Sequence, residues 1–540
     1  MTAAGTIRAD AHTPRWGMVM DLNRCVGCQT CTIACKHVND TPPGVQWRQV
    51  LDVEYGVFPD VERVFLPVGC QHCDNPPCVP VCPTGATFRR DDGIVAVDYG
   101  WCIGCGACAV ACPYQARHLV HRRDRYFRDR DTVQEQVVAH EERLGVIQKC
   151  TFCSDRIDAA RARGLAPGHD PEATPACASA CIAQAIRFGD FNDPGDPVAK
   201  VAREQPSFVM HEELGARPMI RYLYETPSVP GRDADPADAD DERMADPENP
   251  LVGKRQRRWD ARAAANFICG GVGSGMAIAA YLAHLAGSVS SDLLPPIFVA
   301  AGAIMAVGLF AVFLEIGRKL RFVYALRRPQ SSWMTREVYV VAVFYPAVAA
   351  VLLRPVPAAH ALVVVAATAF LYCQARILHA SRGIPAWRVP LIPWMLAATG
   401  LFEGLGALVL ALAAMRADIA AWLGWPMTAL AGVNAGLWHA YRTGAKAAGV
   451  PPLARAEIAR VTPPLHALGH GVPFVGAIVA LVAASPAALI AAGIGAIAGG
   501  ALWKYWVIVR ASYQQGFALP RLPQRGSGRR SAWAGAGAEA

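Results

Sequence analysis

Sixteen of the chain's 18 cysteines fall between Cys25 and Cys181, in four quartets that leave none over in that interval. Cys25, Cys28, Cys31 and Cys35 are spaced CxxCxxCxxxC. Cys70, Cys73, Cys78 and Cys82 are spaced CxxCxxxxCxxxC and followed by Pro83, and Cys102, Cys105, Cys108 and Cys112 repeat the first spacing and are followed by Pro113. The fourth quartet, Cys150, Cys153, Cys177 and Cys181, has 23 residues between its two pairs. Three thiolates separated by two residues each wrap one iron–sulfur cubane, while the fourth points away and ligates the neighbouring cluster. The quartets are therefore expected to work in pairs. The crossing assigns Cys70, Cys73 and Cys78 with Cys112 to one cluster, and Cys102, Cys105 and Cys108 with Cys82 to the next. Likewise Cys25, Cys28 and Cys31 go with Cys181, and Cys150, Cys153 and Cys177 with Cys35. Structural zinc is the competing reading, since CxxC pairs also build tetrahedral zinc sites. Such sites have no need of equally spaced quartets closing on Cys-Pro.

Elements must position these thiols. Asp92-Gly93-Ile94-Val95-Ala96-Val97-Asp98 reads as a turn followed by a strand, as a ferredoxin-like unit requires between quartets two and three. The whole chain of 540 residues carries a formal charge of +8, with 53% hydrophobic and only 18% charged residues, which excludes a single soluble domain, a disordered chain and a collagen-like repeat. Residues 225–250 hold nine Asp or Glu, two Arg and five prolines, the composition of a mobile tether. Eight apolar stretches follow, near 263–286, 294–316, 336–353, 359–379, 389–414, 418–441, 465–485 and 487–509. Each is close to the ~20 residues that cross ~30 Å of hydrocarbon as a helix. The last two are divided only by Ser485-Pro486, which must form a tight turn. The loops and ends on one side carry twenty-three Lys and Arg, and the other side only Arg354 and Arg416. The positive-inside rule then puts both termini and the cysteine half in the cytoplasm. The opening MTAAGTIRADAHTPRWGMVMDLNR shows neither a charged-then-apolar leader nor a twin-arginine pair, in agreement with that side. In a reducing compartment clustered thiols are metal ligands more often than disulfides. The expected fold is an α+β ferredoxin-like tandem dicluster domain followed by an all-α polytopic membrane domain of eight transmembrane helices. Its divisions are an extension over 1–15, the cluster domain over 16–222, an acidic linker over 223–253, the membrane domain over 254–512 and a basic tail over 513–540.

The segments WGMVMDLNRCVGCQTCTIACK, PVGCQHCDNPPCVPVCPTGA, DDGIVAVDYGWCIGCGACAVACPYQAR and KCTFCSDRI resemble the four-cluster electron-transfer subunit of the dimethyl sulfoxide reductase family of molybdopterin oxidoreductases, over roughly residues 16–222. Some relatives replace one cysteine of the third quartet and carry a three-iron cluster. Cys105 is present here, so the resemblance implies four [4Fe-4S] clusters. FLEIGRKLRFVYALRRPQSSWMTREV is similar to the family's eight-helix quinone-reactive anchor, usually a separate chain, so the sequence looks like a fusion of both. By the same resemblance Glu337 falls on an acidic position of the quinol site, whereas Glu315 stands where the anchor often has His.

Carboxylates near a bilayer are costly and mark function by default. Glu315 ends the second stretch and Glu337 begins the third, with solvated ion pairs to Arg318 or Arg336 as the bland alternative. Glu403, some 14 residues into the fifth stretch and roughly 21 Å along its axis, is either part of a proton path or a hydrogen-bonded packing residue. His284, His360, His379, His439, His466 and His470 show no pairing pattern for axial ligands, which argues against haem b. Gly270, Gly271, Gly273 and Gly275 follow no strand and are expected to serve helix packing. The basic run HRRDRYFRDRD at 121–131 is expected to be a solvated insertion or a partner-docking face, not a nucleic-acid site.

The expected function is that of a wire. A separate molybdopterin subunit performs the substrate chemistry, four clusters carry single electrons, and a membrane quinone, ubiquinone or menaquinone, exchanges them. Cytoplasm-facing relatives include complexes similar to phenylacetyl-CoA:acceptor oxidoreductase and membrane-bound sulfite dehydrogenase, which reduce the quinone; dimethyl sulfoxide and polysulfide reductases run the other way. Rival classes are a membrane-anchored iron–sulfur sensor or scaffold without a catalytic partner, and a zinc module on a transporter.

Overall fold

A computed structural model describes residues 12–57, 60–122, 124–127, 129–137, 141–224 and 244–519. Most of the expected tether (225–243), most of the N-terminal extension and the tail from 520 onward lie outside the described residues.

In the cysteine half each link between consecutive quartets is an antiparallel hairpin. β2 (Arg48–Val57) and β3 (Asp60–Gly69) join Cys35 to Cys70. β4 (Thr87–Arg89) and β5 (Val95–Val97) join Cys82 to Cys102, with the turn at Gly93 in the left-handed region (φ 84°), so the expected turn and strand are present. β6 (His118–Val120) and β7 (Val146–Gln148) join Cys112 to Cys150. The first and fourth quartets are brought together by a sheet of order β8-β1-β10-β9. Its central strand β1 (Trp16–Asp21) runs antiparallel to β8 (Ile186–Asp190) and parallel to β10 (Ile220–Leu223), which also pairs with β9 (Ser207–Phe208). Met18 stands opposite both Phe188 and Ile220, and all three are buried. Because β1 ends four residues before Cys25 and β8 starts five after Cys181, this register holds the outermost cysteines of the half against each other.

The second half is eight long helices: α1 (Ala261–Leu285), α2 (Leu294–Glu315), α3 (Trp333–Leu353), α4 (Pro357–Ala380), α5 (Ile392–Ala414), α6 (Gly424–Gly444), α7 (Pro452–Ala483) and α8 (Pro486–Arg510). Seven are long and apolar enough to span a bilayer; α6 is the exception. It carries Asn434, whose side-chain oxygen accepts from Thr399 Oγ1 (2.6 Å), and Trp438, which donates to Thr462 Oγ1 (3.1 Å), so its polar groups are spent inside the bundle. The start of α1 and the end of α8 lie together, with Gln514 N donating to Lys254 O and Gln256 N to Ser512 O. Among the described residues, then, seven helices and not the expected eight are apolar enough to cross, and α6 packs with them as a more polar member of the bundle.

Two boundaries differ from expectation. α7 begins at Pro452, thirteen residues ahead of the expected start, because Pro463 and Pro464 are absorbed by a π-helical stretch at Leu465–Gly471 instead of breaking the helix. Residues at both ends of the membrane half belong to the cluster domain's core: Leu251, Phe517 and Leu519 are buried there. The turn at Ser485-Pro486 is as expected, with Ala484 left-handed (φ 47°), Pro486 in the first helical turn and Ser485 Oγ capping Ala488 N (3.3 Å).

Glycines set the helix spacing. A Cβ on Gly404 would collide with the backbone of Gly275, and Gly406 and Gly493 approach each other in the same way between α5 and α8. Without a hydrophobic drive between helices in lipid, such close backbone packing is what holds a bundle. The loop of the third quartet docks on this bundle. Arg318 N donates to Ile103 O (3.0 Å), Trp259 Nε1 to Cys105 O (3.2 Å) and Thr335 Oγ1 to Pro83 O (3.2 Å). Arg258, Arg318 and Arg321 add bonds to the carbonyls of Leu119, Glu142 and Gly100. Gly104 (φ 71°) lies where a Cβ would strike Gly145 O and Gly317. Gly104→Ala is expected to destabilise the docked chain by about 1–3 kcal/mol, read as a lower melting temperature. Gly44→Ala, at a similar φ of 76° but with open space around it, supplies the control that carries backbone strain without the collision. Equal effects at the two positions would show that the contact contributes nothing.

Candidate functional site

The sixteen thiols fall into four groups that exchange members between quartets. Cys25 faces Cys181 and Cys28, and Cys35 faces Cys150, Cys177 and Cys153. Cys73 faces Cys70, Cys78 and Cys112, while Cys105 faces Cys108, Cys82 and Cys102. Between groups, Cys31 faces Cys177, Cys150 faces Cys70 and Cys108 faces Cys78, an order of neighbours that strings the four in a row. All cysteines are free thiols, and Cys28, at one end of the row, is exposed. Among the described residues no three His, Cys, Asp or Glu side chains close on one point as a mononuclear site requires. We read each group as a cage.

The donor chemistry of the cages fits iron–sulfur clusters. Burial pushes the thiols of Cys31 and Cys112 up to about 11 and those of Cys108 and Cys150 to about 12, so their ionised form needs a positive partner, which iron supplies. Backbone N–H groups already point at sulfur: Ala185 N at Cys181 Sγ (3.2 Å), Thr87 N at Cys82 Sγ (3.4 Å) and Phe152 N at Cys150 Sγ (3.4 Å). Arg117 Nη2 donates to Cys78 Sγ at 2.9 Å.

Where the last cage meets the bundle, a narrow slot of about 30 Å³ is lined by Cys105, Trp259, Asn266, Phe267, Glu315, Met334 and Glu337 among others. The two expected carboxylates are thus in one place, although α2 and α3 carry them 22 residues apart. Both are buried, and one oxygen of each, together with Asn266 Oδ1, has no partner among the described residues. The ion pairs weighed from sequence do not form: Arg336 donates to Pro329 O and Gln330 O, and Arg318 to Leu144 O and Glu142 O. Glu337 instead faces the side chains of Gln374 and Asn266, and Gln374 Nε2 donates to Asn266 O (3.0 Å). Glu315 also borders an open groove with His121, Arg262, Arg318, Lys319 and Arg321. A cavity of about 340 Å³ shares Trp259, Met334 and Ile377 with the slot and reaches Trp333, Arg376 and His379.

Glu403 stands elsewhere. Eleven residues into α5, it pairs with Lys504 of α8 (Oε2 to Nζ 2.5 Å), both side chains fully buried, and Lys504 also donates to Phe267 O (3.0 Å). A Cβ on Gly271 would strike Lys504, and one on Gly500 would strike Glu403, so two glycines make the space for the pair. Lys504 escaped notice in the sequence because it lies near a span end, where lysine ordinarily reaches for water. Asn266 and Gln374 were equally invisible, being neutral polar residues inside apolar runs. The histidines do form pairs that spacing did not reveal: His284 and His360 meet edge-on at 6.4 Å between ring centroids, and His466 Nδ1 lies 3.2 Å from His470 Nδ1 one turn along the same helix.

Thiol cages on small open sheets, fused to a multi-pass apolar bundle, define an electron-transfer iron–sulfur protein with a membrane anchor. The family described as "4Fe-4S dicluster domain" matches residues 61–128, across the second and third quartets. The chain is 38% identical over 221 residues to a selenate reductase subunit of Mesobacillus selenatarsenatis, covering 39% of this chain and 72% of that protein. It is 38% identical over 222 residues to a sulfite dehydrogenase subunit of Allochromatium vinosum (38% and 81% covered). A third relative, 35% identical over 226 residues, is the iron–sulfur cluster-binding subunit of the menaquinone reductase of Nitratidesulfovibrio vulgaris (39% and 88% covered). The chain belongs to the iron–sulfur subunits of the dimethyl sulfoxide reductase family, here fused to a C-terminal apolar helical domain.

Proposed function

We propose that this chain is the electron-transfer and membrane-anchor subunit of an inner-membrane complex, carrying electrons through four [4Fe-4S] clusters between a separate molybdopterin-containing catalytic subunit and a quinone, ubiquinone or menaquinone. The observation that carries the reading is that Cys105, a thiol of the last cage, lines the same slot as Glu315 and Glu337. Each cluster, when bound, takes up and gives back one electron at a time. The exposed end of the row, with Cys28 among the exposed apolar side chains of Val26, Ile33 and Ile182, is the face for the catalytic subunit.

At the other end the chain's own residues handle protons. Glu337, fully enclosed, exchanges a proton with a quinone oxygen, Asn266 and Gln374 orient the ring, and Glu315 connects the slot with the open basic groove and so with water. The ring itself enters by the larger cavity beside Trp259 and Met334. Glu403 with Lys504 is assigned to holding the bundle together. The cluster half, 16–222, faces the cytoplasm on the charge bias of the loops, and the same arginines that create the bias also bind cluster-domain carbonyls. The names of the sulfite dehydrogenase and menaquinone reductase relatives support a quinone-linked role, and quinone reduction is the direction proposed.

Anaerobic purification with the co-eluting catalytic subunit is expected to return about sixteen irons per chain. Cys105→Ser should remove one paramagnetic signal, with the other three intact. A preparation holding zinc in place of iron, or one in which Cys105→Ser leaves every signal unchanged, defeats the assignment.

A further inference from the structure

Three cations are sealed inside the cluster domain without a carboxylate beside them. Arg48 and Lys149 are each 1% exposed and Arg117 is 5% exposed. Burying an ion is costly unless a counter-charge answers it, and no Asp or Glu side chain is bonded to any of the three among the described residues. Arg48 Nη1 and Nη2 point at Met20 Sδ (3.8 Å) and Met18 Sδ (3.5 Å), poor acceptors for a guanidinium, and its Nε has no partner. The groups that answer its charge are Cys177, Cys150, the Tyr222 hydroxyl and Cys31. Arg117 gives one bond to Cys78 Sγ (2.9 Å) and one to Thr87 Oγ1 (3.2 Å), and faces Cys78, Cys108, Cys70 and Cys112. Lys149 Nζ donates to the Cys150 carbonyl (2.5 Å) and stands between Cys78 and Cys150.

Sorted by cage, the pattern is uneven. Arg48 faces three thiols of the second cage and one of the first; Arg117 faces three of the third and two of the fourth; Lys149 faces one each of the second and third. The positive charge is therefore concentrated on the two inner cages. We propose that Arg48, Arg117 and Lys149 raise the reduction potentials of the two inner clusters. The proposal rests on the four-cluster reading. A fixed cation in a low-dielectric interior favours whichever state of a cage carries one more electron, and charge and hydrogen bonding at the sulfurs are the protein's main levers on such potentials. The electron comes from one neighbouring cluster and leaves to the other, so no further reactant is needed.

The test is a redox titration, followed by paramagnetic resonance, of the intact complex carrying Arg117→Gln, Arg48→Gln or Lys149→Met, with iron counted in each. At a fixed ambient potential Arg117→Gln should raise the oxidised-to-reduced ratio of the third cluster at least tenfold, a 59 mV fall for a one-electron couple. Arg48→Gln should do the same to the second cluster and Lys149→Met should move both, while Arg117→Lys, which keeps the charge, leaves the third cluster where it was. Unmoved potentials with full iron overturn the proposal. So does loss of iron in all three neutral variants, because the cations would then serve assembly. A wild-type protein without four clusters fails earlier and sinks the underlying reading instead.

Discussion

Replacing Glu337 by Gln should lower quinone-linked electron exchange about 10²–10⁴-fold, the usual worth of a positioned proton-transfer group, while reduction of the clusters by an artificial donor proceeds at the wild-type rate. The substitution keeps the volume and the hydrogen-bonding reach toward Gln374 and Asn266 but removes the exchangeable carboxyl proton. Glu337 is buried, with one oxygen free of any partner among the described residues. A quinone oxygen is the kind of group that such an orphaned atom is placed to meet. Glu315→Gln should have a smaller effect, because the groove beside Glu315 is open to water and offers protons another way in. The measurement is the ratio of quinone-linked to dye-linked turnover in one membrane preparation. A parallel fall of both activities would mean that Glu337 supports the docking of the halves and not the quinone, and an unchanged ratio would remove the slot from the proposed path.

Lys504→Met should be the most damaging single substitution in the bundle, at about 3–5 kcal/mol, and Glu403→Leu should come close to it. Each strands the other partner in a fully buried site, and an unpaired buried charge is far costlier than the pair. The double variant Glu403→Leu with Lys504→Met should recover most of that loss, since replacing both members of a buried pair by apolar groups of similar volume is often neutral. Gly271 and Gly500 already provide the space. Thermal unfolding in detergent of the two singles and the double gives the comparison. A double variant no more stable than the worse single would mean that the pair is not what the site is built around, and would return Glu403 to the proton path weighed from its position in the sequence.

Legibility was high where the signal is local. Three of the four CxxC quartets declare their chemistry within thirteen residues, and an apolar run declares a membrane helix within about 20. The failures share a cause. The helix expected from 465 begins at Pro452, because a π turn accommodates Pro463 and Pro464. The ion pairs weighed as the bland alternative for Glu315 and Glu337 do not form, because Arg318 and Arg336 find carbonyl partners, some in the other half of the chain. Lys504, Arg48, Arg117 and Lys149 each look like ordinary charged residues until their burial is seen.

From the amino-acid order alone came the cofactor class, the two-part architecture and the approximate number of spans, since these depend on spacing and hydropathy along short stretches. The tertiary structure alone decided that hairpins and a sheet bring thiols of different quartets face to face, that Cys105 lines one slot with Glu315 and Glu337, and that Glu403 belongs to Lys504. Those relations join residues far apart in the chain through packing and burial. An uncompensated charge or an orphaned oxygen exists only once water has been excluded around it.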